Sequence, residues 1–203
     1  TSVWEGIRFV LSTPILYMTM ILDFLATFFG TATILMPVFA KDVLHVGAQG
    51  LGLLYSAPAI GGVLAGLILA VLHYRIKHQG QIIIGSVILY GLATIAFGLS
   101  TVFPLSLFFL VLVGFGDMTS TIIRNTIRQL VTPDHLRGRM ASVTRIFFQG
   151  GPQLGEIEAG FLAKAIGGPA SVVIGGVGVV LITSLVALKS KALREYRGKD
   201  LTV

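Results

Sequence analysis

Four carboxylates stand within long apolar runs of this chain: Asp23, Asp117, Glu156 and Glu158. A charge at the centre of a bilayer costs at least about 2.5–3.5 kcal/mol, so each requires a partner, a water-filled cavity or a proton. A carboxyl group that alternates between neutral and charged in such a place is suited to proton transfer. Asp23 falls about 14 Å past Pro14 along a helix, Asp117 about 16 Å before Arg128, and Glu156 about 16 Å past Arg145. With Pro14, Arg128 and Arg145 at one interface, all three carboxylates lie near mid-depth.

Two polar stripes accompany them. Asp117, Thr121, Arg124 and Arg128 recur at i, i+4, i+7 and i+11, one face of a helix. Gln149, Gln153, Glu156 and Gly160 do the same further on. Lipid does not tolerate such stripes, so both faces are expected to look at protein or at a water-filled cavity. Arg124 is expected to serve as counter-charge to Asp117, and Arg128 to snorkel as an anchor at the membrane edge. Asp23 reads either as a pathway residue or as a hydrogen bond between helices. Glu158 points about 200° away from Glu156 and is expected in a helix–helix contact. Gly150, Gly151 and Pro152 are expected to interrupt the helix just before the glutamates, since proline removes a backbone hydrogen bond.

The elements that must hold these groups follow from composition. Of 203 residues, 54% are hydrophobic and only 12% charged, half the charged share of a typical soluble domain. Residues 49–72, 82–101 and 169–188 are runs without Asp, Glu, Lys or Arg, long enough to span a bilayer as helices. Strands of a membrane barrel would alternate polar and apolar positions, which these runs do not. Six transmembrane helices are expected, over 14–40, 49–73, 81–101, 104–131, 140–165 and 169–189. Pro14, Pro104 and Pro169 stand at helix starts, where a missing N–H costs least. Residues 1–13 form an amphipathic lead-in with Trp4, Ile7 and Leu11 on one face, suited to the interface plane. Residues 190–203 form a basic tail. The glycines, 25 in all, include Gly62 and Gly66, Gly151 and Gly155, and Gly175, Gly176 and Gly178, spaced for close helix contacts.

Lys41 and Lys164 fall on one side of this topology. The opposite side receives Arg8, Arg75, Lys77, Arg124, Arg128, Arg137, Arg139, Arg145, Lys189, Lys191, Arg194, Arg197 and Lys199. That asymmetry puts both chain ends in the cytoplasm. It also accounts for the net charge of +6 without nucleic acid, for which no basic soluble domain is present. Cysteine is absent, which excludes disulfides and thiolate metal sites. The histidines, His45, His73, His78 and His135, show no ligand spacing, so neither a metal nor another cofactor is expected.

The stretch GDMTSTIIRNTIRQLVTPDHLRGRMASV at 116–143 resembles the tenth span, following loop and eleventh span of the major facilitator superfamily, with LRGR at 136–139 its most specific part. QLGEIEAG at 153–160 and PVFAKDVLHVGAQGLGLLYSAPAIGGVLAG at 37–66 are similar to the enterobactin-exporter and drug-efflux branch. WEGIRFVLSTP resembles the end of that branch's central cytoplasmic linker. The loop signature between the eighth and ninth spans is degenerate here, with Gly66 where the better-preserved copy carries Asp.

The resemblance implies an all-α integral membrane protein, the C-terminal six-helix half of a twelve-span transporter, with the missing N-terminal six-helix half as its partner. It implies alternating-access efflux of a drug-like or siderophore-like small molecule, driven by protons, in the plasma membrane of a bacterial cell (the inner membrane). Asp117 and Glu156 become the candidate proton or substrate sites, with Gln149, Gln153, Arg124 and Asp23 beside them. Asp134, Arg137 and Arg139 become a cytoplasmic gate loop. An intramembrane hydrolase fits poorly, because no nucleophile–base pair lies within a span. A half-size scaffold or homodimer remains the alternative, since six spans alone lack the opposite wall of a pathway.

Overall fold

The computed structural model describes residues 2–30, 33–72 and 76–197. They fold almost wholly as helix: α1 (Ser2–Ser12), α2 (Pro14–Phe29), the short α3 (Met36–Val38), α4 (Gly47–Leu72), α5 (Gln79–Leu99), α6 (Phe103–Val131), α7 (Arg137–Ile166), α8 (Gly168–Lys189) and the short α9 (Lys191–Arg194). Prolines occupy the first turns of α2, α6 and α8, as their fixed φ and missing N–H favour. Gly167, at φ 91°, turns the chain from α7 into α8, a conformation closed to most L-residues. The expected ends of the second to sixth helices lie within three residues of those observed. His73, Arg75 and Lys199 fall outside the described residues.

Two expectations are corrected. The first helix does not run continuously over 14–40. It ends at Phe29, and the chain resumes as the 3₁₀ turn Thr33–Leu35, then α3, then a wide π turn over Phe39–Val43. Gly30 and the β-branched threonines after it are weak helix formers, and Pro37 cannot donate to the preceding turn. The second correction concerns Gly150, Gly151 and Pro152, which do not interrupt α7; it is helical throughout its 30 residues. The glycines serve a contact instead. A Cβ on Gly151 would meet Thr27 Oγ1 at 2.5 Å, so α7 presses its backbone on α2, and that packing holds the helix through the proline.

The order of packing explains the shape. α4 lies against α6, α6 against α5, α5 against α8, and α8 against α2 and α7, which also meet each other. The helices thus form an arc whose free edges are α4 and α7, while α2 and α6 barely touch across its hollow side. Glycines allow the tight steps of the arc. A Cβ on Gly61 would stand 1.9 Å from Val111 O, and one on Gly114 1.9 Å from Pro58 O, seating α4 on α6. Gly175 and Gly176 do likewise against Phe29 and Gly91. By contrast Gly66 faces open space, so the close approach uses Gly61 rather than a Gly62–Gly66 pair.

Two apolar clusters fill the interior. One joins Leu16, Met20, Ile83, Ile127 and Val143 near the basic end. The other centres on Phe39 and Phe97, whose rings stack at 4.4 Å. Outside, large apolar side chains such as Leu67, Val71, Phe108, Phe161 and Leu188 lie exposed, which water would penalise and lipid does not. α4, α5, α6 and α8 are each long and apolar enough to cross a membrane. α2 is short for this at 16 residues. The preceding helix meets it at a bend of 102°.

The Gly114→Val variant is expected to lose about 1–3 kcal/mol of stability, the range for forcing volume into a packed interior. Gly85→Ala, inside α5 and with no neighbour within 4 Å, is expected to lose nothing and to gain up to about 1 kcal/mol. Thermal unfolding in detergent distinguishes them.

Candidate functional site

Asp23 of α2 and Arg124 of α6 meet at 2.7 Å, both almost wholly buried. Arg124 also donates to Thr121 Oγ1 at 3.0 Å. Helical side chains lean toward the N-terminus of their helix, which carries the guanidinium back over Thr121 to the level of Asp23. The separation from Asp23 is that of an ion pair, but the alignment is not that of a hydrogen bond. Asp23 Oδ1 and Arg124 Nε are both left without an aligned partner. Charge, more than directional bonding, holds the two together.

Arg124 thus makes its close ion pair with Asp23, and acts on Asp117 of the same stripe as a counter-charge without an ion-pair contact. Asp117 is exposed on α6, and among the described residues its carboxylate has no ion pair. The face they share reaches from an exposed end at Asp117 to a buried one at Arg124. Nor does Arg128 snorkel to the surface. It is buried, donates to Asn125 Oδ1 and to Arg124 O, and stands 4.6 Å above the ring of Phe148 on α7. That stack closes the hollow side of the arc between α6 and α7.

Beyond the stack a groove of about 510 Å³ opens toward the basic end. Arg128 and Gln129 of α6 face Arg145, Phe148 and Gln149 of α7 across it, with Arg137 at its margin. Gln149 is thus brought to the site. Gln153 and Glu156 continue the same stripe of α7, exposed and without a partner among the described residues. Glu158 is half-buried and forms no ion pair or side-chain hydrogen bond among those residues. The loop residues separate. Asp134 pairs with Arg137 at 2.9 Å in solvent, whereas Arg139 reaches Glu5 of α1. No His, Asp or Glu cluster able to hold a metal occurs among the described residues.

Sequence reasoning missed Phe148, Asn125 and Glu5. Asn125 could have been found three residues before Arg128, within reach on a helix. Nothing in the sequence marks Phe148, an aromatic residue in an apolar run.

Helices that are apolar outside and carry a charge pair within define an all-α integral membrane protein. Residues 1–202 match the family described as transmembrane secretion effector, and the chain belongs to that family, a branch of the major facilitator superfamily. The enterobactin exporter EntS of Citrobacter koseri is 28% identical over 196 residues, covering 97% of this chain and 47% of that protein. The multidrug efflux pump Tap of Mycolicibacterium fortuitum is 34% identical over 166 residues, covering 80% and 40%. EntS of Salmonella choleraesuis is 28% identical over 190 residues, covering 94% and 45%. The chain spans about half the length of these relatives. They are transporters, and the chain is not an enzyme.

Removing either member of the buried pair strands the other. Asp23→Asn and Arg124→Gln are each expected to destabilise by about 3–5 kcal/mol, and the double variant by less than their sum. Denaturation in mixed micelles, run as a double-mutant cycle, measures the difference.

Proposed function

We propose that this chain is the C-terminal six-span half of a proton-coupled exporter working by alternating access, with a drug-like or siderophore-like small molecule as substrate. The observation that carries the reading is the groove between α6 and α7, largely apolar in surface but carrying polar and basic side chains. In an otherwise apolar exterior, a surface bearing Gln129, Arg145 and Gln149 faces water or protein rather than lipid. The matched relatives are named as an enterobactin exporter and a multidrug efflux pump, which supports efflux as the direction.

In this reading α2 with residues 33–43, and α7 despite its polar stripe, complete six spans with α4, α5, α6 and α8. Both chain ends lie in the cytoplasm, at the end where Glu5 meets Arg139 and Gly80 meets Tyr196. The membrane is the bacterial inner membrane. α1 lies in its plane. A further six-helix half covers the groove and the stripe of Gln153 and Glu156, making the second wall of the pathway. Asp117 and Glu156, exposed on this half and unpaired, exchange protons or bind substrate as the halves rock. Asp134, Arg137 and Arg139 steady the loop between α6 and α7.

The intact protein in proteoliposomes under an imposed pH gradient tests this. Asp117→Asn and Glu156→Gln are expected to slow gradient-driven export on the order of a hundredfold or more, the usual scale for a lost proton-transfer group. Normal transport by both variants removes the proton assignment. No transport by the intact protein favours the half-size scaffold. Separately, cysteine at Gln153 is expected to react faster with a water-soluble thiol reagent than cysteine at Leu162, on the opposite face of α7.

A further inference from the structure

A second, smaller and only partly enclosed space lies behind the Arg128–Phe148 stack. Asp23, Arg124, Thr19, Met20, Arg128 and Phe148 line it, and it leaves about 10 Å³ for the centre of a water-sized sphere. That is room for one water. Its walls hold an acceptor and a donor without aligned partners, Asp23 Oδ1 and Arg124 Nε. The Thr19 hydroxyl is already engaged with the carbonyls of Ile15 and Leu16. A buried polar atom left unsatisfied is costly, and one water beside this pair serves both atoms.

This space and the groove share a partition. Arg128, Thr144 and Phe148 line both. Arg128 and Phe148 touch through a cation–π contact, which can part without breaking a helix. The charged groups around the space are Asp23 from α2 and Arg124 and Arg128 from α6; Asp117 of α6 and Tyr90 of α5 are close enough to interact electrostatically with Asp23, and Thr144 and Phe148 of α7 bring no titratable group.

We propose that this space is a water-binding site, joined to the groove through a gate made by Arg128 and Phe148. Asp23 is then the membrane-embedded carboxylate in exchange with solvent at the basic end, distinct from Asp117 and Glu156 on the open face. If the exporter is proton-coupled, this is the route by which a proton meets the α2–α6 ion pair. That last step rests on the proposed coupling, whereas the hydrated site does not.

Pulsed hydroxyl-radical labelling of the intact, unsubstituted protein tests the site, because radiolysis of a bound water oxidises the side chain beside it. Met20 lines the space and is buried, 4% exposed; Met36, in the opposite apolar cluster, is 1% exposed and lines neither the space nor the groove. Oxidation of Met20 is expected to be roughly tenfold faster than that of Met36 if a water is held there. Equal rates overturn the site. The gate is read from Thr19→Cys, in a background without other cysteines, treated with a water-soluble thiol reagent. Adding Phe148→Leu, which keeps apolar volume but removes the ring, is expected to speed the reaction roughly tenfold, the worth of one desolvated cation–π contact. An unchanged rate overturns the gate. Labelling of Met20 in a protein that transports without a pH gradient removes the coupling and leaves the chamber standing.

Discussion

The ion pair between Asp23 and Arg124 is the constraint on which the hollow side of this molecule depends. α2 and α6 are otherwise almost out of contact, and neither charge is tolerable alone in apolar surroundings. Each therefore fixes the rotation of its own helix. With Arg124 turned inward, Arg128 one turn later is turned inward as well. There it finds Phe148 on α7. The groove between α6 and α7 is the space left when these contacts have been made.

The two sides of the arc are built on different physics. From α4 through α6, α5 and α8 the steps are backbone against backbone, allowed by glycines at Gly61, Gly114 and Gly176. Such contacts are dense and short-ranged, and they lose most of their energy if helices separate by a fraction of an ångström. Across the hollow side the link is electrostatic, longer in reach and less demanding of angle. A molecule that must stay rigid along its back and yield along its front would divide the work in this way.

Much of the fold was legible because lipid imposes a simple code. Apolar runs, prolines at helix starts and the placing of Lys and Arg located five helices to within three residues. The break after Phe29 was hidden because hydropathy does not register a change of turn type, and Gly30 lies amid apolar residues. The candidate site was legible as residues but not as pairs. Periodicity put Asp117 and Arg124 on one face, yet it carries no information about a neighbouring helix. Depth would have served better. Asp23 lies about 14 Å into its helix, and Arg124 about 10 Å from the end of its own with a side chain leaning deeper, so the two reach a common level. Proline at 152 misled for a related reason: its intrinsic cost was outweighed by contact with α2, which appears only once both helices are in place.

The attachment of α1 has a mechanical consequence. It precedes α2 in the chain and buries Val10 in the core beside it, but its polar and backbone contacts go to α7, through Glu5 to Arg139 and through Gly6 against Val143. At a bend of 102° to α2, α1 is a crank arm whose pivot is the Ser12–Pro14 corner and whose load is the first turns of α7. Torque applied to it is delivered to one wall of the groove, while the helix it is spliced to serves as the bearing.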